Sequence, residues 1–221
     1  MADVAWIEVA SANTNSIDGS HQVVHLKNLP ICPNMSNVEF RSLIVKLRNA
    51  AAYLVGDRIA GLARWDVVER SRVKDWFGRD DDEVRSVLQS RLPRLKAALG
   101  SLDPTKVTRW DEAAGLTKAC MFVPDSGSNK AAVCKPESDE RIIGIYSGFC
   151  NSPDADLWRE CKLKTLVHEC SHFTDVFDSK DVMYGDGVGV KYWAQANADK
   201  TLYNADSITM YVAHFDRRLT L

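Results

Sequence analysis

Residues 163–185 read LKTLVHECSHFTDVFDSKDVMYG, and the rest of the 221-residue chain is organised around them. His168 and His172 stand four positions apart in this stretch. On an α-helix, residues at i and i+4 lie on one face, one turn apart, so both imidazoles can bind a single metal ion. Glu169 follows His168 directly and can reach a water molecule on that metal without binding the metal itself. The spacing therefore predicts a metal site on a helix.

The residues before the histidines favour such a helix. Apolar side chains recur at roughly helical spacing, and Pro153 with Asp154 or Asp156 supplies a start signal, so we expect a helix over residues 156–173. The pattern HExxH on a helix is typical of zinc peptidases, in which the glutamate acts as general base. Two core histidines on a buried helix are the alternative, but such a pair is costly to bury without a partner.

The third metal ligand must come from outside the motif. A catalytic zinc usually takes three protein ligands and keeps one open position. A later glutamate is not available, since Glu169 is the last glutamate of the chain. A third histidine ten residues after the first is not present either, because that position is Asp178. An aspartate from the loop after the helix remains, either Asp178 or Asp181.

The residues that follow carry a family resemblance. Tyr184 and Gly185 come shortly after Asp181, and Asn-Ala-Asp-Ser occupies residues 204–207. Together with the HExxH motif, this pattern resembles the aspzincin metallopeptidases, the family of deuterolysin and the peptidyl-Lys metalloendopeptidases. The resemblance covers residues 37–216 and is strong only over 141–212. It implies Zn²⁺ as cofactor, Asp181 as third ligand and Tyr184 as the phenol that hydrogen-bonds the transition-state oxyanion. A packed loop aromatic is the alternative for Tyr184.

The resemblance also bears on specificity. In the peptidyl-Lys branch, acidic residues on the last helix receive the substrate lysine just after the cleaved bond, and Asp206 matches one of them. The second acidic position is Thr209 here. A desolvated ammonium held by one carboxylate is bound less well than one held by two. Lysine preference is therefore a hypothesis, with broader specificity as the alternative. Asp206 also fits a structural role, at a helix start or holding a zinc ligand.

Composition excludes other functional classes. A net charge of −2, with 45% hydrophobic and 26% charged residues, is ordinary for a soluble globular protein. No basic run suggests nucleic-acid binding, and every apolar stretch is far shorter than the about 18 residues of a membrane span. The first residues show no basic segment followed by an apolar one, so no signal peptide is predicted. The expected partner is a protein or peptide substrate.

The cysteines bear on the compartment. They are Cys32, Cys120, Cys134, Cys150, Cys161 and Cys170. Six cysteines permit three disulfides, in any of 15 connectivities. Disulfides favour an oxidising environment outside the cell, whereas the lack of a predicted signal peptide argues against export by the usual route. We expect a secreted or exported protein, either after removal of a signal or propeptide or by a route that needs neither. A bacterial toxin or effector peptidase would fit the second route. Cys170, inside the motif, points away from the metal and is expected to be a core thiol.

The remaining chain predicts an α+β, helix-rich, zincin-like fold. We expect an N-terminal extension over residues 1–35 and a metallopeptidase domain over 36–221. Ser36 and Glu39 form a capping box at the start of a first helix. The expected helices are 37–64, 65–76, one starting at 80, 190–198 and 202–215. The expected strands are at 4–9, 21–26, 107, 120–123, 131–134 and 141–146. Residues 142–147 are the candidate edge strand that holds an extended substrate.

The sequence thus predicts a zinc endopeptidase with His168, His172 and Asp181 as ligands and Glu169 as base. The alternative from another class is a non-catalytic, zinc-stabilised binding module. His214 is the only later histidine, and a fourth protein ligand there would make the zinc structural. A second alternative is a latent peptidase in which residues 1–35 cover the cleft.

Overall fold

The computed structural model describes residues 4–8, 23–27, 29–185 and 187–214. The α-helices are α1 (Asn37–Arg64), α2 (Val67–Phe77), α3 (Asp82–Ser101), α4 (Trp110–Leu116), α5 (Ser147–Asn151), α6 (Lys162–His172), α7 (Val188–Ala196) and α8 (Ala205–Ala213). The strands are β1 (Val4–Glu8), β2 (Val23–Lys27), β3 (Val107–Arg109), β4 (Ala131–Val133) and β5 (Ile143–Ile145). Short 3₁₀-helices cover Lys135–Glu140 and Thr201–Tyr203. The predicted helix-rich α+β class is confirmed.

The helix α1 starts where the sequence predicts, and α3 starts two residues later than predicted, at Asp82. The Ser36 side chain accepts from the Glu39 backbone N–H, and the Glu39 carboxylate accepts from the Ser36 N–H at 2.8 Å, which completes the capping box. The Asp81 carboxylate accepts from the Val84 N–H at 3.1 Å and caps α3. Each cap satisfies backbone donors that have no partner inside the helix.

The main core lies where α1 and α3 pack on the motif helix α6. Each fully buried aliphatic side chain there contributes about 1.5–3 kcal/mol relative to exposure. The buried apolar residues of these helices are Phe40, Ile44, Leu47, Ala51, Leu54, Val55 and Leu62 on α1, Val84, Leu88, Leu92, Leu95, Ala98 and Leu99 on α3, and Leu163, Leu166, Val167 and Cys170 on α6. This packing fixes α6 from behind and leaves one face for the cavity.

The small sheet has the strand order β3-β5-β4. β5 pairs parallel with β3 and antiparallel with β4, with Ala132 opposite Gly144. The prediction that residues 142–147 form the edge strand is therefore wrong: β5 is central, and the edge strands are β3 and β4. The strand predicted at 120–123 does not form. Cys120 is instead disulfide-bonded to Cys134, next to β4.

The N-terminal segment contains an antiparallel pair. β1 and β2 align Val4 with Lys27 and Glu8 with Val23. Strands were predicted at both places, although part of the second, including His21, lies outside the described residues. Further along, Ile31 and Cys32 are buried in the main core. The chain therefore joins the core before α1 begins.

Two disulfides form rather than three. Cys32 bonds Cys150, with a Cα–Cα distance of 5.3 Å, and Cys120 bonds Cys134. Cys161 and Cys170 are free and buried. This is the environment that was predicted for Cys170 as a core thiol. Disulfides form and persist in oxidising environments, so these two are compatible with an extracellular protein. No helix within the described residues is long and apolar enough to span a membrane.

Candidate active site

The motif helix begins later than predicted. α6 covers Lys162–His172, whereas residues 156–161 form a loop. The Asp156 carboxylate accepts from the backbone N–H groups of Trp158 at 2.8 Å and Arg159 at 2.7 Å. This side chain therefore offers the backbone an alternative to helical hydrogen bonds.

The two motif histidines face one point. Every residue of α6 except His168 is buried, so the helix is held on nearly all sides. The rings of His168 and His172 lie 4.8 Å apart and cross at 80°. Asp181, in the loop after α6, places Oδ1 3.0 Å from His168 Nε2 and 3.3 Å from His172 Nε2. The structure thus brings together one carboxylate oxygen and two imidazole nitrogens.

Each histidine is oriented through its other nitrogen. His168 Nδ1 lies 2.6 Å from Asp206 Oδ1, and His172 Nδ1 lies 3.0 Å from the Ser179 carbonyl oxygen. With Nδ1–H donating to these acceptors, each ring is turned so that Nε2 faces the point shared with Asp181, where a bound metal would take the Nε2 lone pair. Asp206, predicted for either specificity or support, is therefore in contact with a motif histidine.

The loop that carries Asp181 is tied to the start of α8. Asn204 Oδ1 accepts from the backbone N–H groups of Val182 at 3.1 Å and Met183 at 2.9 Å. Asp206 Oδ2 accepts from the Gly185 N–H at 2.8 Å. The loop is thus held at three backbone groups by two side chains of one short segment. Sequence reasoning assigned no role to Asn204, although it belongs to the quoted Asn-Ala-Asp-Ser segment, and the local sequence carries no signal for the acceptor Ser179.

The charges of the three converging groups complement one another. Burial alone would lower the pKa of His168, but hydrogen bonds with Asp181 and Asp206 outweigh it and raise that pKa to about 10. Burial alone would raise the pKa of Asp181, but hydrogen bonds from His168 and His172 outweigh it and lower that pKa far below its ordinary value. Two imidazole nitrogens and one carboxylate are a donor set that zinc binds, and their ligand atoms lie within 4.8 Å of one another. The residues present therefore fit a zinc ion.

Glu169 and Tyr184 flank this point. Glu169 is buried, and burial raises the pKa of its carboxyl, although positive charge on His168 and His172 opposes the rise. Tyr184 is 67% exposed, and its ring lies 6.4 Å from that of His168, nearly parallel to it. Burial and a hydrogen bond with Asp181 raise the pKa of the Tyr184 phenol, which keeps it protonated at neutral pH.

A cavity of about 700 Å³ opens over these groups. Its walls are β4, α6, the loop from Ser179 to Tyr184, and α8. Thr209, on α8, lines the cavity and is buried, and its hydroxyl has no hydrogen-bond partner in the described part of the chain. The cavity is large enough for a segment of peptide rather than a single ion.

Two other candidates lie elsewhere. Asp178 pairs with Lys135 at 2.7 Å and has a left-handed backbone with φ +53°, which is a turn position. His214 packs against Trp76 and Trp158, with ring centroids at 5.1 Å and 6.3 Å. Within residues 29–185 and 187–214, neither residue joins the group formed by His168, His172 and Asp181.

Comparisons with known proteins identify the family and the fold. A family model for aspzincins, described as lysine-specific metallo-endopeptidase, matches residues 64–213. Among solved structures, a zinc peptidase from Grifola frondosa has a similar fold, with a TM-score of 0.59 and 21% sequence identity over 80% of this chain and 96% of that chain. No curated protein sequence matches the chain significantly. The chain belongs to the aspzincin family and is a zinc metallo-endopeptidase that acts on protein or peptide substrates.

Proposed function

We propose that this aspzincin hydrolyses peptide bonds at one zinc ion held by His168, His172 and Asp181. The observation that carries the proposal is the convergence of two imidazole nitrogens on Asp181 Oδ1, at 3.0 Å and 3.3 Å. Three protein ligands leave an open coordination position, which distinguishes a catalytic zinc from a structural one. His214 packs between aromatic rings rather than at this point, which argues against the structural alternative.

Glu169 is the proposed general base. When bound, zinc supplies a Lewis acid that polarises the scissile carbonyl and lowers the pKa of a water molecule to about 7. The Glu169 carboxylate takes a proton from the attacking water and passes it to the leaving amine as the carbon–nitrogen bond breaks. Its position beside His168 and in the cavity wall allows both transfers without a change of place.

Tyr184 is the proposed donor to the oxyanion. Its phenol is protonated at neutral pH and is hydrogen-bonded to Asp181. To act, the phenol exchanges this partner for the developing oxyanion of the substrate. The exposed position of Tyr184 on a loop suits such a movement, because few contacts resist it.

The edge strand β4 is the proposed site for the substrate main chain. Within the described sheet, β4 pairs only with β5, so its other edge is open. Ala131, Ala132 and Val133 all line the cavity that contains Glu169. An extended peptide added to this edge gains main-chain hydrogen bonds irrespective of sequence.

We further propose a weak preference for lysine after the cleaved bond. The unpartnered hydroxyl of Thr209 and the carboxylate of Asp206 both line the cavity and can accept from an ammonium group. However, the two oxygens of Asp206 already serve His168 and Gly185, at 2.6 Å and 2.8 Å. Because Thr209 is uncharged, a substrate lysine gains less binding free energy here than at a site with two carboxylates.

Secretion is the proposed localisation, supported by the two disulfides. A role as a toxin or effector stays a prediction of the sequence. The latent state, in which residues 1–35 cover the cleft, also stays a prediction, because about half of these residues lie outside the part of the chain that the structure describes.

Proteolysis of an unfolded, lysine-containing protein tests the function. Fragments are identified by mass spectrometry for the wild type and Glu169→Ala, each with and without a chelator. We expect cleavage only by the metal-loaded wild type, with lysine modestly enriched after the cut bond. Cleavage that persists in Glu169→Ala would refute the proposed base, and cut sites without lysine enrichment would refute the proposed specificity alone.

A further inference from the structure

Two lysines flank the edge strand β4 and reach to opposite ends of the zinc helix. Lys130 forms an ion pair with Glu160, which precedes α6, and Lys135 pairs with Asp178, which follows it. The two lysine side chains are equally exposed, at 31% and 32%, and both line the cavity. Each lysine therefore connects the wall formed by β4 to a segment next to α6, and the two lysines can be compared directly.

Lys135 touches a group that orients a proposed zinc ligand. Its Nζ donates to the Ser179 carbonyl oxygen at 2.9 Å and to the Asp178 carbonyl oxygen at 3.3 Å. The Ser179 carbonyl oxygen is also the acceptor for His172 Nδ1, at 3.0 Å. One oxygen atom thus joins Lys135 to His172.

The turn that Lys135 holds needs external support. Asp178 has φ +53°, a region that residues other than glycine seldom adopt and that persists where neighbouring contacts impose it. Lys135 contacts both the carboxylate and the carbonyl of this residue. Two residues after Ser179 the same turn delivers Asp181, whose Oδ1 faces both histidine nitrogens. Displacement of the turn would therefore disturb two of the three ligands.

We propose that Lys135 is a positioning residue for the metal: it holds the 178–181 turn and thereby orients His172 and places Asp181. The inference rests on the ligand set proposed above. Loss of a partner that orients a ligand typically lowers metal affinity about 10–100-fold. Lys135 contacts the carbonyl group that orients His172 and not His172 itself, so we expect zinc affinity to fall by the lower end of this range, about tenfold.

Zinc affinity, measured by competition with a chromophoric chelator, tests this independently of activity. The full chain is compared with Lys135→Met, Lys135→Arg, Lys130→Met and His172→Ala. Methionine keeps the aliphatic part of the side chain and removes the charge. We expect Lys135→Met to bind zinc about tenfold more weakly, Lys135→Arg to recover part of the loss, and Lys130→Met to stay within about twofold of the wild type.

Melting temperatures of the metal-free proteins, measured with a chelator, separate positioning from general support, because weaker zinc binding by itself lowers the melting temperature whenever zinc is present. We expect the same metal-free value for both methionine variants. The inference is overturned if Lys135→Met binds zinc as the wild type does, if Lys130→Met weakens zinc binding equally, or if only Lys135→Met melts markedly lower in the metal-free state. If His172→Ala also retains zinc, the proposed ligand set itself is wrong. If His172→Ala loses zinc and Lys135→Met does not, only the role of Lys135 is refuted.

Discussion

Two regions of the molecule arrange their buried polar groups differently. One is the helix junction where α1, α2 and α8 meet, and the other is the zinc cavity. At the helix junction, the buried Glu69 carboxylate accepts from the Tyr211 hydroxyl at 2.6 Å and lies 3.6 Å from the Arg58 guanidinium. Around the cavity, the buried hydroxyls of Tyr146 and Thr209 have no hydrogen-bond partner among the described residues. An unpaired buried polar group costs about 1–3 kcal/mol. The buried carboxylate of the junction is therefore paired, whereas the two cavity hydroxyls keep their hydrogen-bonding capacity for ligands at a cost in stability.

The largest expected effect is on activity, at the cavity. Glu169→Gln should lower kcat/KM by about 10²–10⁴, because the general base is lost. Its melting temperature should stay the same or rise, since burial raises the pKa of Glu169 and disfavours its charged form. Peptide hydrolysis by the zinc-loaded protein measures the first effect, and thermal unfolding of the metal-free protein measures the second. A loss of stability comparable to that at the junction would contradict the comparison.

At the helix junction, a methyl group should be enough to disrupt the packing. A Cβ at Gly61 would lie 2.2 Å from Glu69 Oε2, so Gly61→Ala must displace the carboxylate from its partners. Breaking a buried pair costs about 3–5 kcal/mol, and the better helix propensity of alanine returns about 1 kcal/mol. We expect a net loss of about 2–4 kcal/mol in the free energy of unfolding, measured with urea.

The control for this variant is Gly100→Ala on α3, where an added Cβ meets nothing within 4 Å. It should be neutral or slightly stabilising, because only helix propensity changes. If the two alanine variants unfold alike, the close approach of Gly61 to Glu69 has no energetic importance.

Metal removal should act on the cavity and leave the junction unchanged. Zinc at 100 times its Kd stabilises the folded chain by about 2.7 kcal/mol, which a chelator should remove. The destabilisation by Gly61→Ala should be the same with and without the chelator, because distant sites are additive within about 0.5 kcal/mol. Urea unfolding of the wild type and Gly61→Ala, each with and without the chelator, checks this. If the chelator changes the destabilisation by Gly61→Ala by much more than about 0.5 kcal/mol, the two regions are coupled.

The smallest expected effects come from two tyrosines. Tyr211→Phe leaves Glu69 with one partner fewer and should cost about 1.5–3 kcal/mol. Tyr146→Phe removes a hydroxyl without a partner and keeps the ring, which lies parallel to Trp110 at 6.2 Å. We expect its free energy of unfolding to be unchanged or slightly higher. Equal destabilisation by both variants would mean that the Tyr146 hydroxyl is paired in solution, for example by water.

Several local features of the fold follow from the sequence. The capping box of Ser36 and Glu39 marks the first helix, and the i, i+4 spacing of His168 and His172 places both on one helical face. Such features depend on residues within one or two turns of each other. The helix start was predicted too early, because the Asp156 side chain binds nearby backbone N–H groups instead of extending the helix.

The sequence by itself determined the zinc motif, its helix and the family resemblance, because these depend on residue types at short, regular spacing. Only the tertiary structure decided that β5 is central and that β4 is an edge strand beside the cavity, and that two disulfides form. The resemblance implied Asp181 as a ligand and left two roles open for Asp206, whereas the contacts of Asp206 and Ser179 with the two histidines came only from the tertiary structure. These contacts join loops and helices up to 38 residues apart. Their geometry depends on how α6 and α8 pack, which local residue patterns do not encode.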